Sequence, residues 1–160
     1  MPYDENEPKT SSETYVANAF RPFMKNNHAD LLLLVAAKHP RAGLAGSACQ
    51  YTGSSSCSTG ILDITQFFSG VTLHELGHLL SATHEAGFFA CPSHGQLLGK
   101  DFETVMWQDG IPVECSAERL MQFSNPQVIF PGSGLPTGNT THCNACRIRT
   151  VSQKVSNFRK

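Results

Sequence analysis

The most informative stretch of this chain is a pair of histidines with a glutamate between them. The segment reads Leu73-His-Glu-Leu-Gly-His78, which contains the pattern His-Glu-x-x-His. On an α-helix, positions four residues apart are separated by about 40° around the axis, so both imidazoles point at one spot. Two imidazole nitrogens in that arrangement suit a zinc ion. The spacing of His74 and His78 therefore indicates a metal site.

Two neighbouring side chains extend this chemistry. Glu75 directly follows the first histidine, and its carboxylate can reach a metal-bound water, which needs a base to take its proton. His84 lies six residues beyond His78. From there a third nitrogen reaches the same ion if the chain turns after the helix. The residue types thus indicate metal-assisted hydrolysis.

Apolar periodicity predicts the elements that must position these residues. We predict helices over residues 14–26, 66–82 and 144–158, and strands over 30–37 and 60–65. After Asp30 the strand over 30–37 is continuously apolar, so we expect it to be buried on both faces. Residues 38–60 have the composition of a loop. The region that follows the helix over 66–82, up to about residue 140, is predicted to be mostly loop, with a short helix over 116–121.

Composition limits the classes of protein to consider. The chain has 160 residues, the size of one domain, and 40% of them are hydrophobic, which excludes a disordered chain. Its 12 basic and 13 acidic residues leave a net charge of −1, which argues against a nucleic-acid partner. No apolar run approaches the ~20 residues that span a bilayer. We expect one domain over 1–160, with a flexible tail over 1–12 and subdomains over 13–84 and 85–160.

The histidine pattern, together with Met106 in Glu103-Thr-Val-Met-Trp, resembles the metzincin clan of zinc endopeptidases. The clan's signature is His-Glu-x-x-His-x-x-Gly-x-x-His, followed by a turn that contains methionine. The resemblance implies the following roles: zinc ligands His74, His78 and His84, general base Glu75, and Met-turn residue Met106.

One position departs from the clan's signature. The clan's glycine falls on Ser81 in this sequence. A glycine there lets the chain leave the helix in a left-handed conformation. A serine costs on the order of 1 kcal/mol if that conformation is kept.

The flanking segments resemble reprolysin-like enzymes, and in particular the bacterial peptidyl-Asp metalloendopeptidases. The segments are Phe123–Val128, Gly134–Gly138, a helix start at Asn144, a strand at Ala29–Val35 and a Gly-x-Ala segment at Gly43–Ala45. The resemblance implies an α+β, metzincin-like (zincin) domain. In it a small mixed sheet packs on the active-site helix, and a loop-rich C-terminal subdomain ends in a helix. Family domains usually carry more sheet ahead of the metal helix, so we expect a shortened N-terminal half.

The resemblance also implies how substrate binds. The strand Gly60–Thr65 would lie along the cleft and pair with an extended peptide, and Trp107–Pro112 would border the adjoining pocket. A preference for an acidic side chain needs a cation, for which the candidates are Arg119, Arg147 and Arg149. We expect protein or peptide substrates and a secreted, extracellular enzyme. Its oligomeric state stays open.

Two alternative functions remain open. One is a zinc peptidase whose third ligand is a glutamate: Glu103, Glu114 or Glu118. The other is a non-catalytic, metzincin-like binding protein that keeps the metal helix as a scaffold. Glu75 favours an enzyme, because an inactive descendant has no need of that carboxylate.

The remaining cysteines and histidines have plainer interpretations. We favour disulfides among the six cysteines, with Cys49 and Cys57 flanking a loop where a bridge is sterically easy. The alternative is a second, structural zinc held by Cys143-x-x-Cys146 with Cys91 and Cys115. Glu85 either orients a ligand or is a solvated charge. The other histidines are predicted to lie on the surface or in loops: His28, His39, His94 and His142.

Overall fold

The computed structural model describes residues 13–45, 58–84, 102–106 and 118–158. Its contacts divide the chain into two compact units, residues 1–81 with 149–160, and residues 82–148. The elements of the first unit are α1 (Glu13–Asn26), β1 (Leu32–Ala36), β2 (Gly43–Ala45), β3 (Thr59–Asp63), a 3₁₀ turn (Ile64–Gln66) and α2 (Gly70–Leu79). This mixture of helices and small sheets confirms the α+β class. The predicted division into subdomains at residue 84 stays a proposal.

The sheet of the first unit has the order β1-β3-β2. β3 runs parallel to β1, with Leu32 opposite Thr59, and antiparallel to β2, with Gly43 opposite Leu62. The loop prediction for residues 38–60 is therefore wrong at β2. That strand is only three residues long and is defined by its backbone pairing with β3. A side-chain pattern cannot reveal pairing of this kind.

Helix α1 packs its apolar side on the sheet. Val16 is fully buried against Ala36 and Ile61, and Phe20, Leu32 and Leu34 surround this cluster. The helix predicted over 14–26 is thus confirmed, with the exposed Pro22 inside it. β1 is confirmed as a strand, but only Ala36 in it is buried. The expectation that both of its faces are buried is wrong.

Short-range hydrogen bonds fix the approach to α2. The Asp63 carboxylate accepts from the Thr65 hydroxyl and from the backbone N–H groups of Thr65 and His39, at 2.5, 2.9 and 2.8 Å. These bonds, led by the Thr65 hydroxyl, lower the pKa of Asp63. His39 lies in the loop between β1 and β2, as one of the two predicted placements has it, and it is buried there at 7% exposure. The Ser69 hydroxyl then caps α2 by accepting from the Val71 N–H at 3.2 Å.

The second unit contains two small strand pairs. β4 (Phe102–Thr104) pairs in parallel with β5 (Glu118–Leu120), and β6 (Ile129–Phe130) pairs with β7 (Leu135–Pro136). The short helix predicted over 116–121 is wrong for residues 118–120. They are extended because they pair with β4, a partner distant in sequence.

The last helix, α3 (Asn144–Val155), begins in the second unit and ends in the first. It confirms the prediction over 144–158, and a turn follows it. In the described part of the chain, no helix is both long enough and apolar enough to cross a bilayer.

Candidate metal centre

Helix α2 presents His74 and His78 on one face. Their Nε2 atoms lie 3.1 Å apart, and their ring centroids are 4.8 Å apart. Both residues are 8% exposed, so the pair is sheltered but reachable from solvent. The helical spacing of the pair thus places its nitrogens together as predicted.

The chain leaves α2 through a left-handed residue. The Leu80 N–H still bonds to the carbonyls of Leu76 and Gly77, and the Ser81 N–H bonds to the His78 carbonyl at 2.9 Å. Ser81 itself has φ 68° and is 2% exposed. The helix-ending geometry that usually takes glycine is therefore kept with a serine, at a steric cost.

Replacing Ser81 with glycine is expected to stabilise the protein by about 0.5–1 kcal/mol. Glycine relieves the left-handed strain, and this gain is partly offset by the greater freedom of the unfolded chain. The free energy of unfolding of the metal-free protein, measured by urea titration, checks this. Ser81→Val is the control, because a β-branched residue is least tolerant of positive φ and should destabilise. Equal stability of all three proteins would contradict the strain assigned to Ser81.

The turn at Ser81 brings a third histidine to the pair. Ligand nitrogens of His74, His78 and His84 all lie within 4.8 Å of one another. Around a tetrahedral zinc with Zn–N distances of ~2.0–2.1 Å, the nitrogens lie roughly 3.2–3.4 Å apart. The three side chains therefore need to approach one another only slightly to bind such an ion. Three imidazole ligands also leave the fourth position of such an ion open, as in catalytic zinc sites. The donor set therefore fits zinc.

Glu75 lies on the same helix and is buried against the edge of the sheet. It is 6% exposed, and burial raises its pKa to about 7. Its neighbour on the sheet is Gly43 in β2. A Cβ added to Gly43 would lie 2.6 Å from both Cγ and Oε1 of Glu75. The missing side chain at residue 43 is thus what makes room for the carboxylate.

The contact between Gly43 and Glu75 was not predicted from the sequence. In the sequence Gly43 belongs to the Gly-x-Ala segment, and that resemblance implies no role for it. The available signal was a glycine within an apolar tripeptide, which often marks a close backbone approach.

The strand expected to pair with substrate is the wrong one. β3 is bonded to β1 on one side and to β2 on the other over Gly60–Leu62. Its backbone groups are already used, so it has no edge for a peptide. Among the described residues, β2 is the sheet edge on that side, and it is the strand that carries Gly43.

Glu103, one of the alternative third ligands, is engaged elsewhere. Its carboxylate accepts a hydrogen bond from Arg119 Nε at 3.0 Å, across the β4–β5 pair. This pairing also occupies Arg119, a candidate for binding an acidic substrate side chain. The other two candidates, Arg147 and Arg149, are exposed on α3. Glu85, Glu114, Trp107–Pro112 and the side chain of Glu118 lie outside the described residues.

The remaining predicted residues are distributed as follows. Met106 is 1% exposed in a turn after β4, which leaves its Met-turn role a prediction. Cys143 and Cys146 form a disulfide, so in this form their sulfurs are not free to bind a structural zinc. Residues outside the described ranges carry the other predictions: Cys49, Cys57, Cys91, Cys115 and His94.

Comparison with known proteins establishes the family. Residues 2–85, which include Glu75 and the three histidines, match the family described as "Metallo-peptidase family M12B Reprolysin-like". A solved chain from "Structure of a chaperone-substrate complex" superposes with a TM-score of 0.69 at 19% identity. That match covers 98% of this chain and 26% of the solved chain, and at this identity it shows the fold alone. No curated protein matches the sequence. By the family match, this chain belongs to the reprolysin-like metallopeptidases of family M12B.

Proposed function

We propose that this chain is a zinc-dependent endopeptidase that hydrolyses internal bonds of proteins or peptides. The observation that carries the proposal is the cluster of His74, His78 and His84 in a reprolysin-like metallopeptidase. The cluster offers three imidazole nitrogens, the donor set typical of a catalytic zinc with one open position.

The histidines would hold the ion, and Glu75 would move the proton. When bound, zinc would act as a Lewis acid and would lower the pKa of the water molecule that it binds to ~7. Glu75 would accept the proton of the attacking water and then donate it to the amine of the leaving peptide. Burial raises the pKa of Glu75 to about 7 in the metal-free protein, and a bound cation would lower it, which favours the ionised carboxylate that accepts the proton.

The edge of β2 is our proposed binding site for the peptide backbone. An extended substrate adds to a sheet at a strand whose outer N–H and C=O groups are available. β2 meets this condition among the described strands, and its Gly43 packs directly on Glu75. A peptide paired there would lie beside the proposed base.

Replacing Gly43 with alanine is expected to lower kcat by about 10- to 100-fold at little cost in stability. The three atoms nearest to the added methyl all belong to the side chain of Glu75, which can rotate away but then no longer holds its carboxylate in place. A displacement of about 1 Å at a reacting group can cost ~10²-fold. Steady-state kinetics and thermal unfolding of the zinc-loaded protein measure the two effects.

Gly60→Ala is the matched control for this variant. Its methyl would meet Leu33, Leu44 and Ala45 in the same sheet at 3.1–3.2 Å, away from Glu75. We expect it to lower stability while kcat per folded molecule is kept. A Gly43→Ala enzyme with wild-type kcat would contradict the proposed placement of Glu75.

Metal removal tests the proposed function directly. The purified chain should contain one zinc ion and cleave casein or a peptide library, and a chelator should abolish cleavage until zinc is restored. Activity that resists the chelator would refute a zinc peptidase. Zinc binding without cleavage would instead favour the non-catalytic binding protein.

The proposal also covers Met106, the extent of the domain and the location of the protein. Met106 would form the Met-turn beneath the metal, and residues 1–160 would act as one catalytic domain. The Cys143–Cys146 disulfide supports an extracellular location, since such bonds persist in oxidising compartments.

A further inference from the structure

Asn144, the first residue of α3, binds the backbone of Thr83, which directly precedes His84. Its Nδ2 donates to the Thr83 carbonyl oxygen at 3.0 Å, and its Oδ1 accepts from the Thr83 N–H at 3.1 Å. Asn144 is 2% exposed and Thr83 is half-buried, so both bonds are partly shielded from water. One side chain thus holds both backbone polar groups of a residue 61 positions away.

His84 needs such an anchor more than the other two histidines do. His74 and His78 are placed by the hydrogen-bond ladder of α2. Residues 82–84 lie outside any helix or strand. A segment without a regular ladder depends on side chains or water to satisfy and hold its backbone. The two bonds from Asn144 therefore orient the chain just before His84.

Asn144 is itself firmly held. Its backbone N–H donates to Ser124 Oγ at 3.0 Å, and the next N–H, of Ala145, donates to the Ser124 carbonyl at 3.1 Å. Ser124 is fully buried. The Cys143–Cys146 disulfide spans Asn144 and closes the first turn of α3. The two bonds satisfy two of the N–H groups that have no partner within the helix, and together with the disulfide they limit the movement of the side chain.

We propose that Asn144 is a positioning residue that sets the zinc affinity of the site by fixing His84. This inference rests on the proposed function, because it takes His84 as a zinc ligand. Groups that orient a ligand without touching the metal typically change metal affinity by 10- to 100-fold. Asn144 acts in this way through the peptide of Thr83.

The test compares zinc dissociation constants, measured by competition with a chromophoric chelator where every variant is folded. Asn144→Ala is expected to bind zinc roughly 10- to 100-fold more weakly than wild type. Asn139→Ala is the matched control, since the Asn139 side chain accepts bonds from Thr141 and His142 within its own turn. Asn139→Ala should bind zinc as tightly as wild type, even if its melting temperature falls as far as that of Asn144→Ala.

Asn144→Asp covers the case in which the alanine variant fails to fold. Aspartate keeps the shape and the acceptor for the Thr83 N–H, and a carboxylate is favourable at a helix start. It has no donor for the Thr83 carbonyl, and a carboxylate oxygen in place of Nδ2 repels that carbonyl oxygen, so its zinc affinity should also fall below that of wild type. Wild-type affinity in the folded Asn144 variants would overturn the inference alone. A wild-type chain that binds no zinc would overturn the proposed function and the inference with it.

Discussion

Replacing Glu75 with glutamine is expected to lower kcat by roughly 10²- to 10⁴-fold while zinc remains bound. Glutamine has the same shape and fits the space beside Gly43, but it cannot accept a proton from the attacking water. The three histidines are unchanged, so the zinc content should stay at one ion per chain. Steady-state kinetics on a fluorogenic peptide, with metal analysis of the same sample, measure both quantities.

The metal-free proteins provide a control for folding. Burial raises the pKa of Glu75 to about 7 from an ordinary value of 4.5, so the folded state favours the protonated carboxyl. Its stabilising contribution is therefore complete below about pH 4.5 and is lost as the pH rises through about 7. Glutamine stays neutral, so above pH 7 the variant should be at least as stable as wild type. Undiminished kcat in a folded, zinc-loaded variant would remove Glu75 from the proposed mechanism.

Replacing His84 with alanine is expected to weaken zinc binding by roughly 100-fold or more. The substitution removes a direct ligand. Loss of a group that only hydrogen-bonds to a ligand already lowers metal affinity by about 10- to 100-fold. The His74–His78 pair stays on α2, so residual two-nitrogen binding should remain. The zinc dissociation constant, and the rise in melting temperature on adding zinc, both report the loss.

His28→Asn is the control for this variant. His28 is exposed at φ 51°, and asparagine tolerates that conformation well. Its zinc affinity should equal that of wild type. If His84→Ala also binds zinc as tightly as wild type, the third ligand lies elsewhere, and the glutamate-ligand alternative returns.

Local periodicity was sufficient to predict the helices and the histidine pair. Each is a property of residues within one or two turns, where backbone bonds link positions four apart. The pattern over 66–82 thus anticipated α2, and the pattern over 14–26 anticipated α1. The same geometry explains why the spacing of His74 and His78 was enough to pair them.

The order of the strands in the sheet was harder to predict from the sequence than the helices were. Nothing in the composition of residues 38–60 distinguishes Gly43–Ala45 from loop, because three residues become a strand only when a neighbour offers its backbone. The same reason explains the error at residues 118–120, which pair with Phe102–Thr104. With β2 unrecognised, the edge position was assigned to the central strand β3.

The chain's own pattern therefore establishes the chemistry: a helix with two imidazoles, a carboxylate beside them and a third histidine within reach. Folding establishes how those groups are held. The space for Glu75 comes from Gly43, the bonds that orient Thr83 come from Asn144, and Glu103 is paired with Arg119. Each contact joins residues distant in the chain, so no local spacing encodes it.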